Sequence, residues 1–539
     1  MLTDPPPAGM WPLALGGTAL VGAMTAHGWA PVAFPALSLI GYGWLFAVLA
    51  HWPHPARGLA AGFLFALALQ LSGQGWVFDA LRLRGQGGDA HAFLGSALFF
   101  TYLASFTALP AAAACLFLSR RRARSASLGT AWQGGLVFAA LLTLGEWARS
   151  LLFNGVTGLS LGYALVPTSA AGWLPVTGVY GLGFLGYWLA AALARLVAAA
   201  SLACLGNGGT GSLRGDLAVV LGAAGCLFAG GEAWTQYAVW VYPHGPSLSF
   251  RLIQSHADPL QKFQLSEHEV QARRVTQALV AQSADLIVTP ETALTQDAAR
   301  LGPPFWGPLA SFAQRTRSHL FVGVPTRAAD GRGFNSVFHV GPGSAHPLAR
   351  YDKIGLMPVG EYAPAGLGWF TRRMTLSMKD LSQGEADQAP FPLSENAGRP
   401  PVMVAALVCH EDGRGRNLRR SLPAAHLFIN PTDLSWFDGS SALEQGLQVA
   451  QARALEAGRP FLRTANGGIT AHIDHRAKVQ SRLAPGGAAV LSGWVQPMAG
   501  QTPYARLGDW PTVVACLFIV GGLGWPRRHA RPGAGQFRG

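Results

Sequence analysis

Residues 404–413 read VAALVCHEDG: five apolar residues run straight into Cys409, followed by His410, Glu411 and Asp412. The apolar run reads as a buried strand. Its polar end has two readings on these ten residues alone. Cys409 is either a reactive thiol presented at a strand end or a small hydrophobe that closes a core strand. The chain has only five cysteines, and Cys115, Cys204, Cys226 and Cys516 lie in or at the ends of apolar segments. Cys409 alone falls in a polar region, with no CxxC or Cys/His spacing to suggest zinc or redox chemistry.

Working outward, the 539 residues suggest two or more domains. Charged residues make up 12% and hydrophobic ones 50%, and the mean hydropathy is +0.26. That balance points to a membrane protein. Apolar segments long enough to span recur near 12–29, 31–51, 57–75, 91–118, 131–153, 175–205, 216–237 and 509–525, about eight in all. The net charge of +13 is not laid out for nucleic acid. The cluster Arg120, Arg121, Arg122, Arg124 and the cluster Arg527, Arg528, Arg531 each follow a long apolar segment, as cytoplasmic anchors do. With Arg57 and Arg214 on the same side, both termini are expected in the cytoplasm, and residues 241–507 on the outer face. Three units follow: a helical membrane domain 1–240, an outer domain 241–507, and a last span with a basic tail 508–539.

The outer block has a different texture. FRLIQSHA, DLIVTPE, HLFVGVP, NSVFHVG, VMVAALVC, HLFIN, ITAHI and AAVLSGWV are short apolar or alternating runs, each predicted as a strand. Helical patterns lie between them, one over 266–281 and one from 441 to about 457. The second opens on Ser441 and Glu444 as a capping box and closes at Gly458 and Pro460. Strands alternating with helices predict a layered α/β domain of roughly 260 residues. Residues 205–215 and 383–401 read as loops.

Three strand ends in this block present isolated polar residues. LIVTPE ends at Glu291, YDKIGLMPVGEYAP contains Lys353 and Glu361, and ALVCHED contains Cys409. A thiol becomes a good nucleophile when a base takes its proton, and a lysine can steady both thiolate and oxyanion. Spacing alone does not show that the three converge.

These blocks, in this order, resemble the catalytic blocks of the nitrilase superfamily, whose domain is an αββα sandwich with a Glu-Lys-Cys triad. GEWARSLLFNGVTGLSLGYA (145–164), ALEAGRPFLRTANGGITAHID (454–474) and TPYARLGDWP (502–511) narrow this, because they are similar to apolipoprotein N-acyltransferases. That family is an eight-helix enzyme of the Gram-negative inner membrane with a periplasmic nitrilase-like domain. The resemblance implies Glu291 as general base, Lys353 as oxyanion-stabilising cation and Cys409 as nucleophile, with Glu361 and Glu411 in support. It also implies transfer of an acyl chain from a phospholipid, phosphatidylethanolamine, through a thioester to the α-amine of a diacylated apolipoprotein. No metal or dissociable cofactor is implied, and the expected form is a monomer.

The chain departs from the family around the acyl pocket. Thr289 stands where the family has tryptophan, and His410 where it has tyrosine. NPTDLSWFDG (430–439) replaces the usual NDxWFG, and Glu444, Gln445 and Gly446 replace Trp-Gln-His. His410 could tune the thiol or simply fill the tyrosine's place by packing and hydrogen bonding. Residues 364–378 combine Trp369, Phe370 and Met374 with Arg372 and Arg373, a mixture that suits an interfacial lid or an ordinary packed loop. Glu146 and Arg149 lie three apart on one helix face, either as a structural pair or as headgroup contacts. Against acyl transfer stand a membrane-tethered amidase or nitrilase-type hydrolase and a divergent relative that binds lipid or a partner. A transporter fits the span count alone.

Overall fold

The computed structural model describes residues 8–84, 88–122, 131–205, 210–344, 348–371, 380–393 and 401–524. Its first part is helical: α1 (Trp11–Thr25), α2 (Pro35–His51), α3 (Pro55–Gln74), α4 (Trp76–Arg84), α5 (Gly88–Arg122), α6 (Ala131–Leu151), α7 (Leu161–Ala164), α8 (Leu174–Cys204), α9 (Thr210–Ala224) and α10 (Gly230–Tyr237). Five stretches are long and apolar enough to cross a membrane: Pro55–Gln74, Gly88–Ser119, Trp132–Asn154, Ser169–Cys204 and Leu213–Tyr237.

The expectation of about eight spans is therefore met for five. Pro35–His51 and Trp510–Leu523 are apolar but shorter, and α1 has 15 residues. Prolines explain the shortening at the first two. Pro31 and Pro35 keep the residues between α1 and α2 out of the helix, and Pro53 and Pro55 end α2. The stretch 205–215 is not all loop, since α9 starts at Thr210.

The second part holds β1 (Val241–Pro243), β2 (Leu248–Gln254), β3 (Leu286–Val288), β4 (His319–Arg327), β5 (Gly333–Val340), β6 (Arg350–Asp352), β7 (Phe391–Leu393), β8 (Val402–Ala406), β9 (Leu427–Asp433), β10 (Phe461–Asn466), β11 (Ala471–Ile473), β12 (Val479–Arg482), β13 (Ala489–Val495) and β14 (Met498–Gly500). Its helices are α11 (His268–Val280), α12 (Ala298–Thr316), α13 (Gly368–Thr371), α14 (Gly415–Arg420), α15 (Ala442–Ala457) and α16 (Pro503–Leu507), followed by α17 (Trp510–Gly524). All eight predicted strand segments are strands. The strand β7 lies inside the stretch 383–401 that reads as loop.

Two six-stranded sheets form, in the orders β13-β2-β3-β4-β5-β6 and β12-β11-β10-β9-β8-β7. The runs β2-β3-β4 and β8-β9-β10 are parallel. Leu248, Phe250, Leu252, Leu286, Val288 and Phe321 of one sheet meet Val402, Val404, Ala406, Val408, Leu427, Ile429 and Leu462 of the other. The alternate residues face helices. Ile287, Leu320 and Val322 pack on Leu309 and Phe312 of α12, and Ala405 and Phe428 pack on Leu447, Ala450 and Ala454 of α15. Side chains of a strand alternate between faces, so a strand apolar on both needs a cover on both. This αββα layering explains why VAALV is unbroken.

Helix α15 also joins the two parts. The amide of Ala30 donates to Gln448 Oε1 at 3.1 Å, and the amide of Val179 donates to Glu456 Oε1 at 2.7 Å. The second contact sits at a break in α8, where Gly178 has φ +67° and a Cβ would lie 2.2 Å from the Tyr504 ring. Only glycine fits there. The capping box expected at Ser441 does not form. The Ser441 hydroxyl instead donates to the Gly73 carbonyl of α3 at 3.4 Å, and Glu444 pairs with Arg482 at 3.0 Å. Tertiary partners outcompete the local cap.

Candidate active site

Glu291, Lys353 and Cys409 stand after β3, β6 and β8, at ends of strands that belong to both sheets. Glu291 follows a tight crossing: a Cβ on Gly323 of β4 would lie 2.2 Å from the Pro290 carbonyl. Its Oε1 accepts from Lys353 Nζ at 2.8 Å and from Asn335 Nδ2 at 2.7 Å, and its Oε2 from the Asp433 amide at 2.9 Å. Lys353 Nζ lies 2.9 Å from both oxygens of Glu361. Asn335 also donates to Glu361 Oε1 at 3.0 Å, and the Met357 amide donates to its Oε2 at 2.7 Å. Lys353 is thus a buried cation shared by two carboxylates. Burial works against its charge, but Glu291 and Glu361 outweigh it and hold the ammonium well above its ordinary value.

Cys409 opens a 3-10 turn, Cys409–Gly413, in a left-handed conformation with φ +55°. A non-glycine residue in that region stores strain, and such residues gather at functional sites. Thr432 Oγ1 contacts the Cys409 sulfur at 3.4 Å, and Asn430 Nδ2 donates to the Cys409 carbonyl at 3.0 Å. Burial, then the negative charge of Glu291, pushes the thiol up to about 12, with Lys353 acting the other way. The resting thiol is protonated, so it needs a base in the reaction itself.

Glu411 ties the cysteine turn to the lysine loop. It accepts from the Val408 amide at 2.6 Å, from the amides of Ile354 and Gly355 at 2.7 and 2.8 Å, and from the Tyr351 hydroxyl. Asp412 forms a second brace: it pairs with Arg463 at 2.8 Å, Arg463 donates to Asn430 Oδ1 at 2.6 Å, and Asn430 returns to the Cys409 carbonyl. On the far side of Glu291, Lys262 forms a buried pair with Asp433 and donates to Thr292 Oγ1 at 2.8 Å. A protonated thiol, a carboxylate and a fixed ammonium meet here, the parts needed for covalent acyl chemistry.

Residues 21–192 match the apolipoprotein N-acyltransferase N-terminal domain, and residues 255–505 match the carbon-nitrogen hydrolase family. An apolipoprotein N-acyltransferase of Bordetella bronchiseptica is 33% identical over 95% of this chain and 97% of its own length. The chain belongs to the apolipoprotein N-acyltransferase family. One from Methylococcus capsulatus is 33% identical over 97% of both chains, and one from Ralstonia nicotianae 32% identical over 96% and 94%. An amidase from Nesterenkonia sp. covers 49% of this chain and 94% of its own, at 17% identity and a TM-score of 0.34.

The remaining expected site residues of this acyltransferase fare unequally. His410 makes no hydrogen bond through its ring among the described residues, because both ring nitrogens are sealed from solvent without a partner there. Burial, then the charges of Lys353 and Arg414, push its imidazole well below the ordinary range and keep it neutral. Glu146 and Arg149 form no ion pair with each other. Glu146 accepts from the Leu161 amide at 3.0 Å and the Tyr187 hydroxyl at 2.6 Å, and Arg149 donates to Gly158 O at 3.1 Å and Ser160 Oγ at 2.9 Å. Both are buried and hold the 157–161 loop, with Glu146 Oε2 and Arg149 Nε left without a partner among the described residues. Phe370 is buried and stacks on His91 of α5 at 5.4 Å, while Trp369 is half-exposed. Arg372, Arg373 and Met374 lie outside the described residues. Sequence reasoning missed Asn335, Asn430, Asp433, Lys262 and Arg463. Asn335 and Asn430 interrupt apolar strand runs, which was a usable signal; Lys262 and Arg463 offered none.

Proposed function

We propose that this enzyme carries an acyl chain from the sn-1 ester of a phospholipid, phosphatidylethanolamine, through a thioester on Cys409 to the α-amine of the diacylglyceryl-cysteine of an apolipoprotein. The observation that carries the reading is Lys353 held between Glu291 and Glu361. Glu291 takes the thiol proton, and the sulfur attacks the ester carbonyl. Lys353 stabilises the tetrahedral oxyanion. Collapse breaks the C–O bond, and the departing alkoxide takes the proton from Glu291 and leaves as a lysophospholipid. The acceptor ammonium gives one proton to solvent, and the free amine attacks the thioester. Glu291 receives the nitrogen's surplus proton and returns it to the departing thiolate. The second step runs forward because an amide is more stable than a thioester.

The reading places the enzyme in the inner membrane as a monomer with eight spans, both termini cytoplasmic, in units 1–240, 241–507 and 508–539. Its catalytic domain faces the periplasm, where Trp369 borders the lipid. The three short apolar helices Trp11–Thr25, Pro35–His51 and Trp510–Gly524 supply the spans beyond the five long ones. It needs no metal or cofactor.

The test is to incubate the purified enzyme with phosphatidylethanolamine and a diacylated lipopeptide and follow both masses. An acyl adduct on Cys409, chased onto the peptide amine, is expected. Undiminished transfer by Cys409→Ala ends the proposal. A thioester that loses its acyl group only to water makes the enzyme a hydrolase.

A further inference from the structure

Arg414, the fifth residue after Cys409, is 4% exposed, and its Nε and Nη1 are sealed from solvent with no hydrogen-bond partner among the described residues. Other buried cations hold at least one partner: Arg149 and Arg251 leave Nε unpaired but bond through another nitrogen to carbonyls or a hydroxyl. Lys262, Lys353, Arg453 and Arg463 each have a carboxylate, and Arg459 spreads over three carbonyls. The two acids nearest Arg414 in sequence are engaged elsewhere: Asp412 pairs with Arg463, and Glu411, whose charge acts on Arg414 without an ion pair, is taken up by three amides and the Tyr351 hydroxyl. A buried guanidinium without an anion is destabilising, and it persists where a ligand supplies the missing charge.

Its surroundings say which ligand. The side chain lies between two glycines: a Cβ on Gly155 would meet Arg414 Cδ at 2.9 Å, and one on Gly355 would meet Nη2 at 2.7 Å. Gly155 belongs to the loop after α6, where Leu152 and Phe153 are half-exposed, and Gly355 lies two residues past Lys353. Asn154 Nδ2 donates to Leu356 O at 3.1 Å and ties these two loops together. The guanidinium therefore stands between an apolar lip on the membrane part and the loop that carries Lys353. The charge of Arg414 also acts on His410, whose two ring nitrogens are sealed from solvent with no partner among the described residues.

We infer that Arg414 binds the phosphodiester of the acyl-donor lipid, with the His410 imidazole as a neighbouring neutral hydrogen-bonding group. A planar guanidinium presents two parallel N–H donors to phosphate oxygens. This inference rests on the reading of the donor as a phospholipid.

The test compares thioester formation on Cys409 from phosphatidylethanolamine and from a diacylglycerol with the same chains, in the wild type, R414M and R414K. R414M is expected to lower kcat/KM with phosphatidylethanolamine about tenfold to a hundredfold more than with diacylglycerol, and R414K less. Because R414M removes an uncompensated buried charge, its thermal midpoint is expected to hold or rise, whereas a structural role predicts a fall. Equal losses with both donors, or a lower midpoint, overturn the inference. Strong competition by millimolar inorganic phosphate overturns the lipid as the source of the anion. If the wild type forms a thioester with neither donor, it is the acyl-transfer reading that fails. The anion site is then decided by glycerophosphoethanolamine: it must raise the midpoint of the wild type and not that of R414M, and equal or absent shifts overturn it.

Discussion

The Thr157 hydroxyl donates to the Gly413 carbonyl at 2.8 Å, so a loop of the helical bundle holds the turn that begins at Cys409. Tyr163 OH and Arg453 Nη2 reach the same oxygen at 3.2 and 3.1 Å. The helical part thereby helps to set the position of the turn that carries the thiol.

Removing one of these three donors leaves the carbonyl paired. Thr157→Val is therefore expected to cost about 1 kcal/mol of stability or less, while slowing thioester formation several-fold. Thermal unfolding and single-turnover kinetics check this. An unchanged rate would show that the turn is held without the membrane loop.

Lys353 pairs with two buried carboxylates, so its two neighbours are not equivalent to it. Lys353→Met leaves both acids without their cation, and about 3–5 kcal/mol of destabilisation is expected together with loss of the acyl-enzyme. Glu361→Gln keeps the Lys353–Glu291 contact and is expected to unfold at a higher temperature than Lys353→Met. The order of the two midpoints decides it.

The thiol at Cys409 is pushed up to about 12, by burial first and the Glu291 charge second. Only thiolate reacts with iodoacetamide. Labelling of Cys409 should rise about tenfold per pH unit between pH 7 and 9, with no plateau. Glu291→Gln removes a negative charge that raises the thiol, so it should label faster at a fixed pH while losing acyl transfer. Slower labelling of this variant would contradict the assigned electrostatics. Peptide mass mapping separates Cys409 from the other cysteines.

Arg463 neutralises Asp412 and orients Asn430 against the Cys409 carbonyl. Arg463→Met strands a buried carboxylate and should cost about 3–5 kcal/mol. Adding Asp412→Leu should recover part of that stability but not the rate, because Asn430 still lacks its anchor. Stability and rate that recover together would separate Asn430 from catalysis.

Much of the architecture was legible in the residues. The unbroken apolar runs LIV in DLIVTPE and VAALV in VMVAALVC marked β3 and β8, since burial on two faces writes itself into a strand's composition. Local signals failed where a distant partner intervened. Ser441 and Glu444 have the spacing of a capping box, but the Gly73 carbonyl and Arg482 claim them. Glu146 and Arg149 have the spacing of an ion pair, but the backbone of the 157–161 loop offers each a better-placed partner. Helix lengths were overread because prolines cut apolar stretches without changing their hydropathy.

The order of residues alone determined that this chain enters a membrane and carries a two-sheet domain, because both properties follow from where apolar side chains recur. It also singled out Glu291, Lys353 and Cys409, through motifs resembling a known family. Only the tertiary structure decided that Lys353 is shared by two acids, that Cys409 is strained and protonated, and that Arg414 is buried with no ion pair among the described residues. Those properties depend on distances between groups far apart along the chain, 142 positions between Glu291 and Asp433 and 256 between Thr157 and Gly413. Burial turns such distances into charge states, and no spacing along the chain encodes them.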